Sequence, residues 1–416
     1  MLNDLFPRSH ERYLTLPVLG SIADGYCRWL FKHGYRRRVV RLYMFTLVRL
    51  DRQLQEQGRG QFAALTRDAL QRCRPGYSQT DRNLAAILTT LEGYLDEQQL
   101  LPPPAPQPMS QCQRQLSAYR VFLAEVCGFA QSTLHQHLRT ATLFLQHVRY
   151  EHEPTALDHL STDTLEGFVK AMAGTQCRAS LQHSVAQLRS FLRFLAARQL
   201  IRPGFDTQLD TPRHYRLEQL PRALAWDCVQ AFLESIDRRT AMGLRDYTLF
   251  FLMSHYGLRA CDLVTLRLEN LHWRRNELHL TQHKTGSPLM LPLTDVAGNV
   301  LVHYLRQGRP QTPYRELFLR LRAPLGPLQP TAVEDAFEHW WQRSNLPGPM
   351  PSPHCLRHAY AAQLLRQGVS LKAIGDLLGH RSVESTTGYL RLAREELREV
   401  ALEVPHTTPT ATESTP

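Results

Sequence analysis

The run of five prolines between Pro102 and Pro108 limits the possible folds more than any other feature of this chain. Proline has no backbone donor and a fixed φ, so the run favours an extended, semi-rigid linker over a helix or a paired strand. A domain is therefore expected to end near Leu100. A second interruption, rich in Pro, Gly and Asp, lies between Arg202 and Pro221, and a new helix is predicted to open near Leu224.

These two interruptions predict three domains. The chain has 416 residues, and a domain usually takes about 100–200 residues. The polar segment after Val404 has no hydrophobic face and is expected to be disordered. The predicted parts are an N-terminal helical domain, a Pro-rich linker, a second helical domain, a third domain and a tail, at 1–101, 102–110, 111–206, 215–404 and 405–416.

The first two predicted domains share a weak internal repeat. Tyr26–Leu54 and Tyr119–Val148 each contain an apolar helix, a turn of Gly and an aromatic residue, and a second helix. Thr66 follows the first copy and Ser161 follows the second, and each is suited to cap a further helix. The pattern predicts two small four-helix domains in tandem, and a chance alignment of amphipathic helices stays open as the alternative.

The third domain mixes helices with a small sheet. A buried helix is predicted over Asp246–Tyr256, and Gly257 suits the left-handed residue that ends many helices. Alternating segments separated by two turns predict a three-stranded antiparallel sheet, with strands at Leu271–Trp273, Glu277–Gln282 and Pro288–Leu293. Four helical segments follow, at Ala332–Arg343, His354–Gln367, Leu371–Leu378 and Val383–Arg394. The expected fold class is mainly α, with a small antiparallel β-sheet in the third domain.

Charge and composition indicate the kind of partner and the compartment. The 49 Lys and Arg against 38 Asp and Glu give a net charge of +11, which favours nucleic acid as a partner. Almost all of these cations are Arg, a bias that a GC-rich genome would explain equally well. The eight cysteines show no C-x-x-C pair and no zinc-type spacing, so reduced thiols and no bound metal are expected. No bilayer-spanning stretch and no signal peptide is recognised, so a cytoplasmic, nucleoid-associated protein is expected.

Five segments of the third domain carry cationic or nucleophilic side chains that packing does not obviously require. They supply two arginines, a lysine, two histidines and a tyrosine: Arg259, Arg357, Lys284, His354, His380 and Tyr389. A guanidinium group binds phosphate oxygens through two parallel hydrogen bonds, so two arginines can hold the charge that develops on a pentacoordinate phosphorus. The set predicts phosphoryl transfer at a phosphodiester.

The order and spacing resemble the motif of the tyrosine recombinase, or phage integrase, family, which runs Arg, Lys, His-x-x-Arg, His or Trp, then Tyr. By this resemblance Arg259 is the first arginine, Lys284 is the lysine of the hairpin, and His354 with Arg357 is the central pair. His380 occupies the His-or-Trp position, and Tyr389 is the nucleophile. The resemblance covers about Leu224–Arg398. It implies an integrase-type catalytic domain preceded by SAM-like, core-binding helical domains, the first of them DNA-binding-like.

The resemblance also implies a mechanism. The pocket of Arg259, Arg357 and His380 favours the phenolate and stabilises the transition state, His354 takes the phenolic proton or holds the phosphate, and Lys284 protonates the leaving 5′ oxygen. The product is a 3′-phosphotyrosyl enzyme with a free 5′-hydroxyl. Because the bond energy is kept in the covalent link, no metal, ATP or other cofactor is expected.

Three neighbouring residues have open or structural interpretations. Asp262 is expected to orient the cations of the site, with a surface carboxylate at a helix start as the alternative. His358 is expected to be structural. Tyr360 is a rival to Tyr389 as nucleophile, but it lies within the helix of Arg357 and is expected to pack.

The implied partner is double-stranded DNA, bound by a homo-tetramer on two sites with a dimer on each, together with possible accessory DNA-bending or partner recombinase proteins. Six further arginines are candidates for contacts with phosphate: Arg36, Arg37, Arg38, Arg41, Arg274 and Arg275. The first four fit a solvated helix face equally well. A short amphipathic helix after Tyr389 is expected to dock on a neighbouring protomer.

The predicted function is site-specific DNA recombination. The length and the apparent duplication of the N-terminal helices favour an integrase or transposase of a mobile element. A type IB topoisomerase is the second enzymatic interpretation, and exchange between two duplexes, rather than relaxation of any supercoiled plasmid, distinguishes the two. A catalytically silent DNA-binding regulator on the same fold is the third, and the presence of all six residues argues against it.

Overall fold

The computed structural model describes residues 1–74, 82–101, 109–211, 223–380 and 384–388. The chain divides into two compact units: Met1–Pro102 with Leu220–Pro416, and Pro103–Gln219. In the described part of the chain no helix combines the length and the apolar character needed to cross a membrane. The predicted linker over 102–108, the break at 212–222 and the disordered tail lie outside the described residues.

The N-terminal part of the first unit is helical. Its helices are α1 Leu2–Leu5, α2 Glu11–Leu14, α3 Gly20–Lys32, α4 Arg37–Glu56, α5 Arg67–Arg72 and α6 Arg82–Glu97. The side chain of Asp51 on α4 is buried and accepts hydrogen bonds from the backbone N–H groups of Val18 and Leu19, at 3.0 and 2.7 Å. Because a buried carboxylate is stable only when it is hydrogen-bonded, this contact fixes the entry of α3 against α4.

The second unit has its own helices and its own core. The helices are α7 Gln111–Val121, α8 Gln131–His147, α9 Thr162–Ala173, α10 Arg178–Ala197 and α11 Phe205–Gln208. Tyr119, Phe144 and Phe191 meet in its centre, with the Tyr119 and Phe191 rings 4.9 Å apart. The predicted caps are confirmed, because Ser161 accepts from the N–H of Thr164 and Thr66 in the first unit accepts from that of Ala69. In the described residues, α3, α4, α5 and α6 of the first region correspond in order to α7, α8, α9 and α10 of the second, and α1, α2 and α11 lie outside the predicted repeat.

The C-terminal region of the first unit, 223–388, surrounds the almost completely buried helix α13. Its elements are α12 Trp226–Ser235, α13 Ala241–Tyr256, α14 Ala260–Val264, β1 Leu271–His272, β2 Glu277–Thr281, β3 Pro288–Pro292, α15 Asp295–His303, β4 Leu319–Arg320, β5 Gly326–Pro327, α16 Pro330–Ser344, α17 His354–Arg366, α18 Leu371–Leu378 and α19 Glu384–Thr387. Strands β1, β2 and β3 form an antiparallel sheet in that order, with Leu278 opposite Leu291.

The predicted elements of this region are confirmed, with shorter strands. Helix α13 ends at Gly257, which adopts the left-handed conformation with φ of 62°. The last predicted helix, Val383–Arg394, is described only over Glu384–Thr387, and the rest of it lies outside the described residues. The two-residue strands β4 and β5 were not predicted, because period-two alternation needs at least four residues to be recognised.

The loop between β4 and β5 contacts the N-terminal helices. The backbone N–H of Leu325 donates to the carbonyl of His33 at 2.9 Å, and Ala323 packs against the N-terminal core. The Leu325 side chain lies so close to Gly34 that a Cβ there would collide with it. Gly34 also has a φ of 82°, so both its conformation and its neighbour require glycine.

Candidate active site

The structure brings five of the six predicted residues together. His354 experiences the positive charges of Arg357, Arg259 and Lys284, and His380 experiences those of Arg357 and Arg259. These residues come from four separate segments of the C-terminal region. Tyr389, the predicted nucleophile, lies outside the described residues, directly after Gly388 on the segment that carries α19.

Arg357 is at the centre of this cluster and is only 1% exposed. Its guanidinium donates to the carbonyl of Gly257, where α13 ends, and to that of Leu378, at 2.8 Å, where α18 ends. Arg259 follows Gly257 by two residues, and His380 follows Leu378 by two. Arg357 therefore holds together the two turns that present the other members of the site.

Arg259 has a donor that forms an ion pair but no hydrogen bond in the described structure. Its Nη1 atom is buried and lacks a hydrogen bond, and it lies 3.7 Å from the Oδ2 atom of Asp262. An anion placed next to this guanidinium would complete its hydrogen bonding.

Asp262 connects Arg259 to the β2–β3 hairpin. Its side chain is fully buried, and its Oδ1 atom accepts a hydrogen bond from the backbone N–H of His283 at 2.8 Å. The alternative of a surface carboxylate is therefore wrong. Its buried carboxylate lies next to Arg259 and binds the backbone of His283, the residue before Lys284, which fits the orienting role predicted for Asp262.

Lys284 lies in the turn between β2 and β3 and is exposed. The turn is closed by two backbone hydrogen bonds, from Gln282 to Ser287 and from Gly286 to Gln282. The side chain of Gln282 is buried beneath it. Its amide nitrogen donates to the carbonyl of Leu378 at 2.9 Å, and its oxygen accepts from the hydroxyl of Thr285 at 2.9 Å.

The surroundings of the histidines in the site favour their neutral form. Desolvation is the largest of the causes that lower the pKa of His354, His358 and His380 to about 4, and the positive charge of Arg357 is one of the smaller causes. The His354 and His358 rings lie 4.6 Å apart and nearly perpendicular. The lowered pKa of His380 favours a neutral ring that can donate one hydrogen bond, which leaves the positive charge of the pocket to its arginines and lysine.

His380 also shares a hydrogen bond with the segment that leads to Tyr389. Its Nδ1 atom lies 2.8 Å from the hydroxyl of Thr386, which is fully buried. When that hydroxyl donates, the imidazole proton lies on Nε2. In that tautomer Nε2 can donate to a phosphate oxygen.

The lowered pKa of these histidines predicts that acid destabilises the protein. Between the ordinary His pKa of 6.5 and about 4, the unfolded chain binds protons that the folded chain does not, so stability falls as pH falls through this window. Replacing the half-buried His358 with Asn should remove one such group. We expect wild type to lose about 1–2 kcal/mol more unfolding free energy than His358→Asn between about pH 7.5 and 4.5. Urea unfolding at fixed pH measures this, and equal losses in the two proteins would contradict the assignment.

The sequence did not predict a role in the site for three residues that contact it. Gln282 and Thr386 had no role assigned, and His358 was expected to be structural, although it adjoins both His354 and Arg357. The only local signal for Gln282 is Thr285, three residues later in the turn. Tyr360 packs as expected, since it is half-buried against Gly257 and burial raises its pKa.

The predicted DNA-binding arginines lie on the surface, outside this cluster. Arg36, Arg37, Arg38 and Arg41 are exposed at the start of α4, where Arg37 donates to the carbonyl of Asp4 and the guanidinium of Arg41 lies 5.2 Å from the centre of the Phe6 ring. Arg274 and Arg275 are exposed in the β1–β2 turn, at the end of β2 opposite to Lys284.

Comparisons with known proteins agree with the geometry. A model of the phage integrase family matches residues 222–396, and a model of the phage integrase N-terminal SAM-like domain matches residues 116–199. A putative integrase/recombinase of Sinorhizobium fredii, y4gC, is 41% identical over 193 residues, which cover 45% of this chain and 98% of that protein. The tyrosine recombinase XerD of Lacticaseibacillus casei is 29% identical over 283 residues, or 65% of this chain and 91% of XerD.

The fold is also similar to that of solved recombinases. The XerH site-specific recombinase, solved in a post-cleavage complex with a palindromic difH substrate, matches 70% of this chain and 86% of its own, with a TM-score of 0.55 and 16% identity. At this identity the likeness concerns the fold. Taken with the family models and the relative that is matched over nearly its whole length, it shows that the chain belongs to the phage integrase family of tyrosine recombinases.

Proposed function

We propose that the protein is a site-specific DNA recombinase that cuts and rejoins duplex DNA through a 3′-phosphotyrosyl intermediate. The observation that carries the proposal is the convergence of Arg259, Lys284, His354, Arg357 and His380 on one place, next to the segment that leads to Tyr389. Two permanent guanidinium charges and a lysine fit the anionic centre of a phosphodiester. Neutral imidazoles beside them can accept or donate a proton.

The proposed step forms one bond and breaks one. The phenolic oxygen of Tyr389 attacks phosphorus, the bond between phosphorus and the 5′ oxygen breaks, and the strand is left with a free 5′-hydroxyl. His354 accepts the phenolic proton, and Lys284 gives a proton to the leaving oxygen. A bound phosphodiester raises the pKa of His354 again, because a nearby negative charge favours the protonated ring.

Arg259 and Arg357 have different roles in this proposal. Arg259 contacts the phosphate directly through its guanidinium, which the ion pair with Asp262 orients. Arg357 supplies positive charge while it holds the two turns that carry Arg259 and His380. His380 donates a hydrogen bond to a phosphate oxygen through Nε2.

Duplex DNA is the proposed partner. The exposed arginines Arg36, Arg37 and Arg38 stand at the start of a 20-residue helix, where positive side chains oppose the helix dipole at a cost of about 0.3–1 kcal/mol each. Phosphate bound there would offset this cost. Arg41, Arg274 and Arg275 are proposed as further backbone contacts, on a surface distinct from the reacting site.

We further propose that 1–101 and 111–206 act as two helical DNA-binding domains before a catalytic domain at 215–404. The family's assembly, a homo-tetramer on two DNA sites, is proposed for this chain, with accessory DNA-bending or partner recombinase proteins in synapsis on the nucleoid. The proposed biological role is that of an integrase or transposase of a mobile element. The relative from Sinorhizobium fredii carries the name integrase/recombinase, which favours this role over that of a type IB topoisomerase.

The test is a covalent adduct on a suicide substrate. Purified protein is incubated with nicked duplexes drawn from the DNA that flanks its own gene, with EDTA and without ATP, and is run on a denaturing gel. We expect the protein to be linked to the 3′ phosphate of the cleaved strand. The released strand should carry a 5′-hydroxyl that polynucleotide kinase can label. A requirement for metal, or a 5′-linked adduct, would contradict the proposal.

A second assay on the same protein separates recombinase from topoisomerase. We expect strand exchange between two duplexes that carry the cleaved site, and no relaxation of a supercoiled plasmid that lacks it. Relaxation of any supercoiled plasmid without exchange would favour the topoisomerase instead.

A further inference from the structure

We infer that Gln282 is a positioning residue that fixes the Lys284 hairpin against the turn that presents His380. The inference rests on the proposed function, since it assigns a role within that reaction. It concerns a side chain that touches no reacting atom and acts through Lys284.

The amide of Gln282 is buried, and both of its polar atoms are hydrogen-bonded. The residue is 0% exposed, its nitrogen donates to the carbonyl of Leu378, and its oxygen accepts from the hydroxyl of Thr285. A buried amide is costly unless it is paired in this way. The two bonds run in opposite directions, one into the body of the domain and one into the hairpin turn. Gln282 therefore connects the turn to the domain.

The attachment point of Gln282 is shared with Arg357. The carbonyl of Leu378 accepts hydrogen bonds from both Gln282 and Arg357, at 2.9 and 2.8 Å. The next residue, Gly379, is left-handed with φ of 61°, and a Cβ there would collide with the Gln282 amide. One carbonyl thus fixes the hairpin, the central arginine and the turn before His380 relative to each other.

A second anchor lies one residue further along the hairpin. The backbone N–H of His283 donates to the buried carboxylate of Asp262. Lys284 follows directly, and its side chain is exposed on a turn that extends from the sheet. The two anchors hold the strand end just before Lys284, so the flexible part is reduced to the turn and the lysine side chain.

Precise placement of Lys284 matters because it is the proposed general acid. A general acid must lie within about 2.6–3.2 Å of the oxygen that it protonates. A displacement of about 1 Å at a reacting group can reduce the rate by about 10²-fold. Without the Gln282 amide the hairpin loses one of these two anchors, and the lysine reaches the 5′ oxygen in a smaller fraction of encounters.

The test compares Gln282→Met on two versions of one suicide substrate. Methionine has the length of glutamine and lacks the amide, and Leu378 retains Arg357 as a donor. In the second substrate sulfur replaces the 5′ bridging oxygen at the cleaved phosphate. There Tyr389 attacks phosphorus, the phosphorus–sulfur bond breaks, and sulfur leaves as a thiolate. A thiolate is a far weaker base than an alkoxide, so this step needs no proton from Lys284.

We expect Gln282→Met to slow adduct formation about 10- to 100-fold on the oxygen substrate, as supporting contacts around reactive groups typically do. On the sulfur substrate it should come within a few-fold of wild type. Lys284→Ala is the reference variant and should show the same pattern with a larger loss. Equal losses on both substrates would overturn the inference, because the defect would then not lie in proton delivery. No loss on either substrate would overturn it as well.

Tyr304→Phe serves as the control for a lost buried hydrogen bond. The Tyr304 hydroxyl donates to the carbonyl of Leu317 at 3.1 Å within the same region, and no hydrogen bond to the described site residues is seen. It should lower stability to a similar extent as Gln282→Met and leave both cleavage rates unchanged. If wild type forms no adduct on either substrate, the proposed function itself is contradicted. The role of Gln282 is then contradicted as well, because it depends on that function.

Discussion

Tyr389→Phe is expected to abolish the covalent protein–DNA adduct while DNA binding is retained. Phenylalanine keeps the ring and removes the only oxygen that can attack phosphorus in the proposed step. Loss of a nucleophile costs roughly 10⁶-fold in well-studied hydrolases, which is far below the detection limit of a gel. The measurement is the adduct on a denaturing gel, beside a binding assay on the uncut duplex.

The matched control for this substitution is Tyr360→Phe. Tyr360 lies three residues after Arg357 in the same helix, where it packs against Gly257, and burial raises the pKa of its hydroxyl. A phenol with a raised pKa is a poorer nucleophile. We expect Tyr360→Phe to form the adduct at nearly the wild-type rate. An adduct that survives Tyr389→Phe and is lost in Tyr360→Phe would reverse the assignment.

Arg357→Met should combine a loss of cleavage with a loss of stability. In wild type the guanidinium of Arg357 donates to the backbone carbonyls of Gly257 and Leu378. The substitution removes this donor from the carbonyl of Gly257. An unsatisfied buried carbonyl costs about 1–3 kcal/mol, and we expect a loss of this size in denaturant unfolding. Cleavage should fall at least about 10³-fold, which is typical of an arginine that stabilises a phosphoryl transition state. If cleavage and stability both stay near wild type, Arg357 does not hold together the turns that carry Arg259 and His380.

Arg259→Lys is expected to reduce cleavage without reducing stability. Lysine keeps a positive charge next to Asp262, so the buried carboxylate is not left uncompensated, but it cannot form two parallel hydrogen bonds with phosphate. Cleavage should fall about 10²- to 10³-fold, with a stability close to wild type. A large loss of stability here, or none in Arg357→Met, would show that the two arginines exchange roles.

The sequence was sufficient to predict the elements that carry the site. Hydrophobic periodicity located α13, α17 and α18, and the left-handed Gly257 marked the end of the first of them. Residue type, order and the resemblance to the family motif selected Arg259, Lys284, His354, Arg357 and His380, which the structure brings together. Helix ends and hairpin turns are set by local interactions, and this is why they can be recognised from short stretches of sequence.

The remaining features depend on contacts between distant segments. Gln282 reaches Leu378, which lies 96 residues later, and no local pattern predicts that an amide at the end of a strand will find that carbonyl. The neutral state of His380 follows from burial beside two guanidinium groups, and burial is known only after folding. The contact of Leu325 with His33 was likewise unpredicted, because the Pro-rich run suggested that the first domain stands apart.

That contact between Leu325 and His33 sets an order of events during synthesis. The two residues are separated by roughly 290 positions, and at about 5–20 residues per second a ribosome needs roughly 15–60 s to make the intervening chain. The N-terminal helices, which have a core of their own, emerge first, and the whole of the second unit is translated before the β4–β5 loop exists. The surface around Gly34 must therefore stay uncovered on the nascent chain until the last third of the protein arrives. A chaperone bound there during translation would have to leave before the first unit is complete.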